Sequence, residues 1–166
     1  YLQGDVGVGK TMILNFFFQH LKEKKIRLHF NEFMIKFHDF IFQNKKNDKK
    51  NGIDLFVKDL KKNTQLIYFD EFQVTNIVDA MILGSLFKKI FEENIKVIFS
   101  SNMNINNLYK DGLQRDQFIP FIKILANNCC EKNLLIKEDY RSSKNVNLER
   151  FLSPSNESTN FIFNKL

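Results

Sequence analysis

With 166 residues, 43% of them hydrophobic, the chain can bury one substantial core, which excludes a wholly disordered protein. The net charge of +6 is scattered over helical faces and the polar run Lys45-Lys46-Asn47-Asp48-Lys49-Lys50-Asn51, so charge alone gives a nucleic-acid partner little support. No apolar run approaches a membrane span, no signal peptide is visible, and the adjacent Cys129 and Cys130 lack both the geometry of an unstrained disulfide and the spacing of a zinc site.

Tyr1 to Gln3 reads as the end of a strand, which implies a segment upstream of Tyr1. Gly4-Asp5-Val6-Gly7-Val8-Gly9-Lys10-Thr11 follows it and is a complete phosphate-binding loop. Glycines let the backbone turn and bring N–H groups against phosphate oxygens. Lys10 reaches the β and γ phosphates, and Thr11 can place its hydroxyl on magnesium, so residues Gly4 to Met12 are the candidate nucleotide contacts. The helix from Thr11 to about Lys24 carries Phe16, Phe17 and Phe18 on more than one face, which predicts burial between layers.

Ile26 to Phe30 alternates as a strand, and Phe33, Met34, Phe37, Phe40 and Ile41 recur at helical spacing, a stripe read as core. Ile53 to Lys61 is a further helical piece, and Gln65 to Phe69 has the length and flanks of a buried parallel strand. Thr75 is the expected N-cap of the longest helix, which runs to about Glu93. Ile95 to Ser100 is the next strand. Asn107 to Asp111 and Gln114 to about Asn128 read as helical, with Pro120 bending or restarting the second, and Leu134 to Ile136 as the last strand. Strands alternating with helices predict an α/β fold, a parallel sheet covered on both faces, with ligands at the carboxyl ends of its strands.

The strand Leu66-Ile67-Tyr68-Phe69 runs into Asp70-Glu71, the Walker B pattern. Asp70 can hold magnesium through its water shell, and Glu71 is placed to orient or deprotonate the attacking water. Val97 to Asn102 ends in small polar residues, and Asn102 is the candidate sensor of the γ phosphate, although an asparagine after a strand is often a turn residue. His20, His29 and His38 show no ligand spacing, and His29 reads as a packed or hydrogen-bonded side chain.

Several blocks then occur in a characteristic order: the loop itself, Arg27-Leu28-His29-Phe30-Asn31-Glu32-Phe33-Met34, Asp70-Glu71-Phe72-Gln73-Val74-Thr75, Asp79 to Leu83, Asn107 to Arg115 with its Gly112-Leu113-Gln114-Arg115, Phe118 to Ile122, and Asp139-Tyr140-Arg141. In these the chain resembles the ZapE and lactation-elevated-ATPase family of AAA-type ATPases, found in bacterial cytoplasm and mitochondria. It departs from that pattern at Asn31, where a histidine is usual, at Asn76, where an aspartate is usual, and in the lysine-rich run.

The resemblance implies an α/β P-loop NTPase of AAA type in which the sensor strand lies between the two Walker strands, with residues 1–152 as its core and 153–166 as a linker and the start of a helical lid. It implies ATP and Mg²⁺ as the ligands, Glu71, Lys10, Asn102 and Arg115 as catalytic residues, and Thr11 and Asp70 at the metal. Arg115 would be an arginine finger acting on a neighbouring subunit, whereas the residues by themselves suggest a surface pairing with Asp111 or Asp116. The implied partners are a protein client, further copies of the chain in a ring, and a membrane reached through clients or other segments. Two alternatives stay open: a helicase-loader-like ATPase on single-stranded nucleic acid, and a nucleotide-gated adaptor without useful turnover.

Overall fold

Five strands, Leu2–Gln3 (β1), Lys25–His29 (β2), Leu66–Asp70 (β3), Lys96–Ser101 (β4) and Lys132–Asn133 (β5), pair in the order β2-β3-β4-β1-β5, and every pairing is parallel. The computed structural model describes residues 1–44 and 52–135, and Tyr1–Leu135 forms one unit. The lysine-rich run, the Asp139-Tyr140-Arg141 block, and the proposed linker and lid fall outside the described residues. As the family resemblance implies, the strand before the loop (β1) and the Walker B strand (β3) flank β4. Register places Leu2 beside Ser100 and His29 beside Asp70, so β1 to β4 end along one edge of the sheet. At that edge residues from distant parts of the chain can converge.

The helices are Lys10–His20 (α1), Phe30–Gln43 (α2), Gly52–Asn63 (α3), Ile77–Glu92 (α4) and Arg115–Asn128 (α5). Side chains alternate across a strand, and the set Leu28, Ile67, Phe69 and Phe99 enters one cluster with Phe33, Phe37, Phe56, Leu86, Phe87, Phe121 and Leu125 of α2 to α5. Phe69 stacks on Phe99 with centroids 5.5 Å apart and meets Phe33 edge-on at 4.9 Å. Offset and edge-on contacts of this kind add about 0.5–1.5 kcal/mol per pair beyond area burial, so the phenylalanine-rich composition is spent mainly here.

The opposite face carries Arg27, Tyr68 and Asp70, and α1 lies against it through Phe18, whose ring is 5.9 Å from that of Tyr68. The expected burial of α1 is therefore corrected. None of its residues is buried, and Met12 and Phe16 are each 68% exposed, because α2 to α5 join the core on the other face and nothing among the described residues covers the outer side of α1. The helix also stops at His20 rather than near Lys24. There the Lys25 ammonium donates to the carbonyl oxygens of Phe18, Gln19 and Leu21, satisfying groups that the helix end leaves open.

Smaller differences have local causes. Phe30 begins α2 instead of ending β2, since as a helical residue it joins Phe69 and Phe72 in the core. The cap of α4 is Asn76, not Thr75: its side-chain oxygen accepts from the Val78 N–H at 2.8 Å. Only Ile105–Asn107 forms a 3₁₀ turn where a helix over Asn107 to Asp111 was predicted. Helix α5 continues through Pro120, held by its buried face of Phe118, Phe121, Ile122 and Leu125. The last strand is shifted to Lys132–Asn133, because Lys132 N–H donates to Tyr1 and Leu134 N–H to Gln3. Among the described residues no helix is long and apolar enough to cross a membrane.

Candidate nucleotide site

The phosphate loop leaves β1 at Gly4 and enters α1 at Lys10. At Gly4 a Cβ would come within 2.7 Å of the Leu134 carbonyl oxygen, so the close passage of the two chain segments requires glycine. Gly9 precedes the helix with φ 88° and ψ 15°, a left-handed conformation that glycine adopts without strain. The first helical hydrogen bond runs from the Ile13 N–H to the Gly9 carbonyl at 3.1 Å. The N–H groups of Lys10, Thr11 and Met12 thus precede the helical ladder, and no side chain caps them. Open donors at the positive end of a helix dipole suit an anion.

Lys10 folds back over this loop. Its ammonium donates to the carbonyls of Gly4 and Asp5 and to Asn102 Oδ1, each at 2.8 Å. Partial burial lowers its pKa, opposed by the negative charges of Asp5, Asp70 and Glu71. Asn102 follows β4 directly and so reaches the loop.

Thr11 and Asp70 also meet: the Thr11 hydroxyl lies 3.4 Å from Asp70 Oδ1. Asp70 is only 4% exposed. Ser100 Oγ donates to its Oδ1 at 2.7 Å, the Tyr68 hydroxyl donates to the same oxygen at 3.0 Å, and the Arg27 guanidinium pairs with Oδ2. Burial pushes its pKa up, but the hydrogen bonds from Ser100, Arg27 and Tyr68 and the Arg27 charge outweigh that and hold the carboxyl below its ordinary value. Tyr68 is pushed up to about 12, chiefly by burial.

Glu71 turns out of the sheet with φ 53°, unusual for a side-chain-bearing residue. Two bonds to β4 hold the turn: Glu71 N–H donates to Ser100 Oγ at 3.1 Å, and Phe72 N–H to the Ser100 carbonyl at 2.7 Å. The Glu71 side chain then lines a cavity of about 280 Å³ with His29, Phe30, Asn31, Gln73 and Thr75. Among the described residues its carboxylate has no hydrogen-bond or ion-pair partner, which leaves it available to a water molecule. His29, expected to be packed or bonded, is instead exposed at this cavity.

Lys10, Thr11, Asp70 and Asn102 are thus brought together, with Glu71 next to them. Arg115 is not. It opens α5 and donates to the carbonyls of Leu108 at 2.9 Å and Asn106 at 2.7 Å, so the expected pairing with Asp111 or Asp116 is replaced by a tether to the preceding turn. Arg141 lies outside the described residues.

The oxygens of Thr11 and Asp70 fit magnesium, a hard cation that takes few protein ligands and keeps sites for phosphate oxygens and water. No group of three or more His, Cys, Asp or Glu side chains that could form a metal cage occurs among the described residues. Cys129 and Cys130 are free thiols. Sequence reasoning passed over Arg27, Tyr68 and Ser100. Strand alternation puts Tyr68 on the face of Asp70, a signal available beforehand, whereas the approach of Arg27 and Ser100 depends on which strands are neighbours.

The chain matches the AFG1-like ATPase family over residues 1–166. It is 35% identical over 167 residues to the cell division protein ZapE of Escherichia coli K12, covering 100% of this chain and 44% of that protein. It is 38% identical over 152 residues to lactation elevated protein 1 homolog B of Danio rerio, covering 86% of this chain and 30% of the relative. It therefore spans less than half the length of these curated relatives. Among solved structures, DnaI superposes with a TM-score of 0.55 at 16% identity over 84% of this chain and 71% of that one. AMPPCP-bound DnaA from Aquifex aeolicus gives 0.53 at 17% identity over 84% and 41%. Such similarity speaks to the fold, a P-loop NTPase sheet. With the family match spanning every residue and the loop, the acidic strand end and the intervening strand in their expected places, the chain belongs to the AFG1-like ATPase family.

Proposed function

We propose that the chain is the catalytic core of a magnesium-dependent ATPase that converts ATP to ADP and phosphate. The observation that carries this reading is the meeting of Lys10, Thr11, Asp70 and Asn102 beside the uncapped start of α1. Lys10 would exchange the loop carbonyls for phosphate oxygens, and Thr11 and Asp70 would hold the cation. Magnesium, when bound, neutralises charge on the β and γ oxygens. Glu71, turned into the cavity, orients or deprotonates the attacking water, and Asn102 holds that water or the γ phosphate. Arg115 acts from a neighbouring subunit after exchanging its carbonyl partners for the transferring phosphoryl group.

For the whole protein we propose ATP-driven remodelling of a protein client by a ring of identical subunits, in mitochondria or a bacterial-type cytoplasm, with any membrane contact made through clients. The choice of a protein client over a nucleic acid rests on the resemblance of the sequence blocks to the ZapE and lactation-elevated-ATPase family. Calorimetry with ATP and GTP in magnesium, followed by phosphate release, tests the core reading. Wild type should bind ATP in preference to GTP and turn it over, while Glu71→Gln should bind ATP and release no phosphate. Unaltered turnover by Glu71→Gln would remove the assignment of the base.

A further inference from the structure

Arg27 is the register partner of Tyr68 and lies on the same sheet face as Tyr68 and Asp70. Its guanidinium sits over the Tyr68 ring, 5.2 Å from the centroid, and pairs with Asp70 Oδ2. The two oxygens of Asp70 are therefore used differently. Oδ1 receives the neutral hydroxyls of Ser100 and Tyr68, with Thr11 nearby, whereas among the described residues Oδ2 pairs only with the Arg27 guanidinium. Among the described residues Lys10 is held by Gly4, Asp5 and Asn102 and makes no ion pair with Asp70.

A buried carboxylate stripped of its counter-charge is costly, and Arg27 supplies that charge without any metal. Its side chain is 38% exposed, against 6% for that of Asp70, so the guanidinium can turn to water while the carboxylate cannot. A guanidinium and a hydrated divalent cation repel one another when both are drawn to one carboxylate oxygen.

We propose that Arg27 is the resident counter-cation of Asp70 and competes with magnesium for this carboxylate, so that metal loading must displace or outweigh the guanidinium. The inference rests on the reading of Asp70 as the magnesium carboxylate. The magnesium concentration at which the site fills is then set by the displacement of Arg27 as well as by the carboxylate.

The test is binding of a fluorescent ATP analogue to the full chain, titrated with Mg²⁺ and repeated in excess chelator. Arg27→Gln, and Arg27→Met, which keeps an apolar stem over Tyr68, should reach half-maximal binding at about tenfold less Mg²⁺, the factor a unit charge a few ångströms from a divalent ion produces under near-aqueous screening. Arg27→Lys, which keeps the charge, should stay much closer to wild type. Melting without metal gives a second readout: the two neutral variants should melt lower than wild type and gain more from added Mg²⁺. An unchanged or raised magnesium demand in whichever neutral variant folds overturns the competition. A wild type that binds no nucleotide at any Mg²⁺ concentration would instead remove the ATP site itself.

Discussion

The Lys10 ammonium and the Asn102 side-chain oxygen are 2.8 Å apart, joining the phosphate loop to the end of β4 across 92 residues of chain. The bond occupies both proposed phosphate-facing groups with one another. On the proposed reading, a bound nucleotide would give Lys10 better acceptors and free Asn102 for the γ phosphate or its water. Lys10→Ala should therefore lose detectable ATP binding by calorimetry. Asn102→Ala should keep it and lose about a hundredfold in turnover, the scale for removing one positioned polar group from a transition state. Equal loss of binding in both variants would show that Asn102 is a binding group rather than a sensor.

Ser100 ties the acidic turn to the sheet through three bonds: its Oγ donates to Asp70 and accepts from Glu71 N–H, and its carbonyl accepts from Phe72 N–H. Ser100→Ala removes the first two at a site 2% exposed, which should lower unfolding free energy by about 1–3 kcal/mol in urea denaturation. With Glu71 less firmly held in its left-handed conformation, turnover should fall more than ATP affinity. A variant as stable and active as wild type would show that the turn is held by other means.

Arg115 makes two charge-assisted bonds to carbonyls, so Arg115→Ala should cost about 2 kcal/mol of stability, more than a surface ion pair would. If it is also a finger acting between subunits, turnover in the assembled full-length protein should fall about a thousandfold with ATP affinity nearly intact. Mixing Arg115→Ala with Glu71→Gln subunits should restore part of the activity, since some joints then pair an intact arginine with an intact glutamate. Normal turnover by Arg115→Ala would leave the tether as its whole role.

The lowered pKa of Asp70 makes its ionised form the one that the fold favours. Its contribution to stability is complete above the unfolded-chain value near 3.8 and is lost as pH falls through the still lower folded value. Asp70→Asn should thus separate from wild type in melting temperature at neutral pH and converge with it in strong acid. A gap that stays constant from neutral pH into strong acid would mean that the carboxylate charge is not what the site stabilises.

Periodicity located nearly every element of the described residues because α2 to α5 each bury one face and β3 is buried along its whole length. Boundaries moved where a single contact decided them: the hydroxyl-free Asn76 cap at α4, Lys25 at the end of α1, and the Tyr1 and Gln3 carbonyls at β5. The exposure of α1 was not legible, because three successive phenylalanines look the same whether or not another layer covers them.

By itself the sequence determined the phosphate loop, the acidic strand end and the family to which they point, since glycine, lysine, threonine and paired carboxylates act there through their own backbone freedom and charge. Tertiary structure alone decided which groups surround those residues. Arg27 meets Asp70, Ser100 holds Glu71, and Arg115 is tied to the preceding turn only because strand order and register bring segments distant in the chain within hydrogen-bonding range, and no local spacing encodes that neighbourhood.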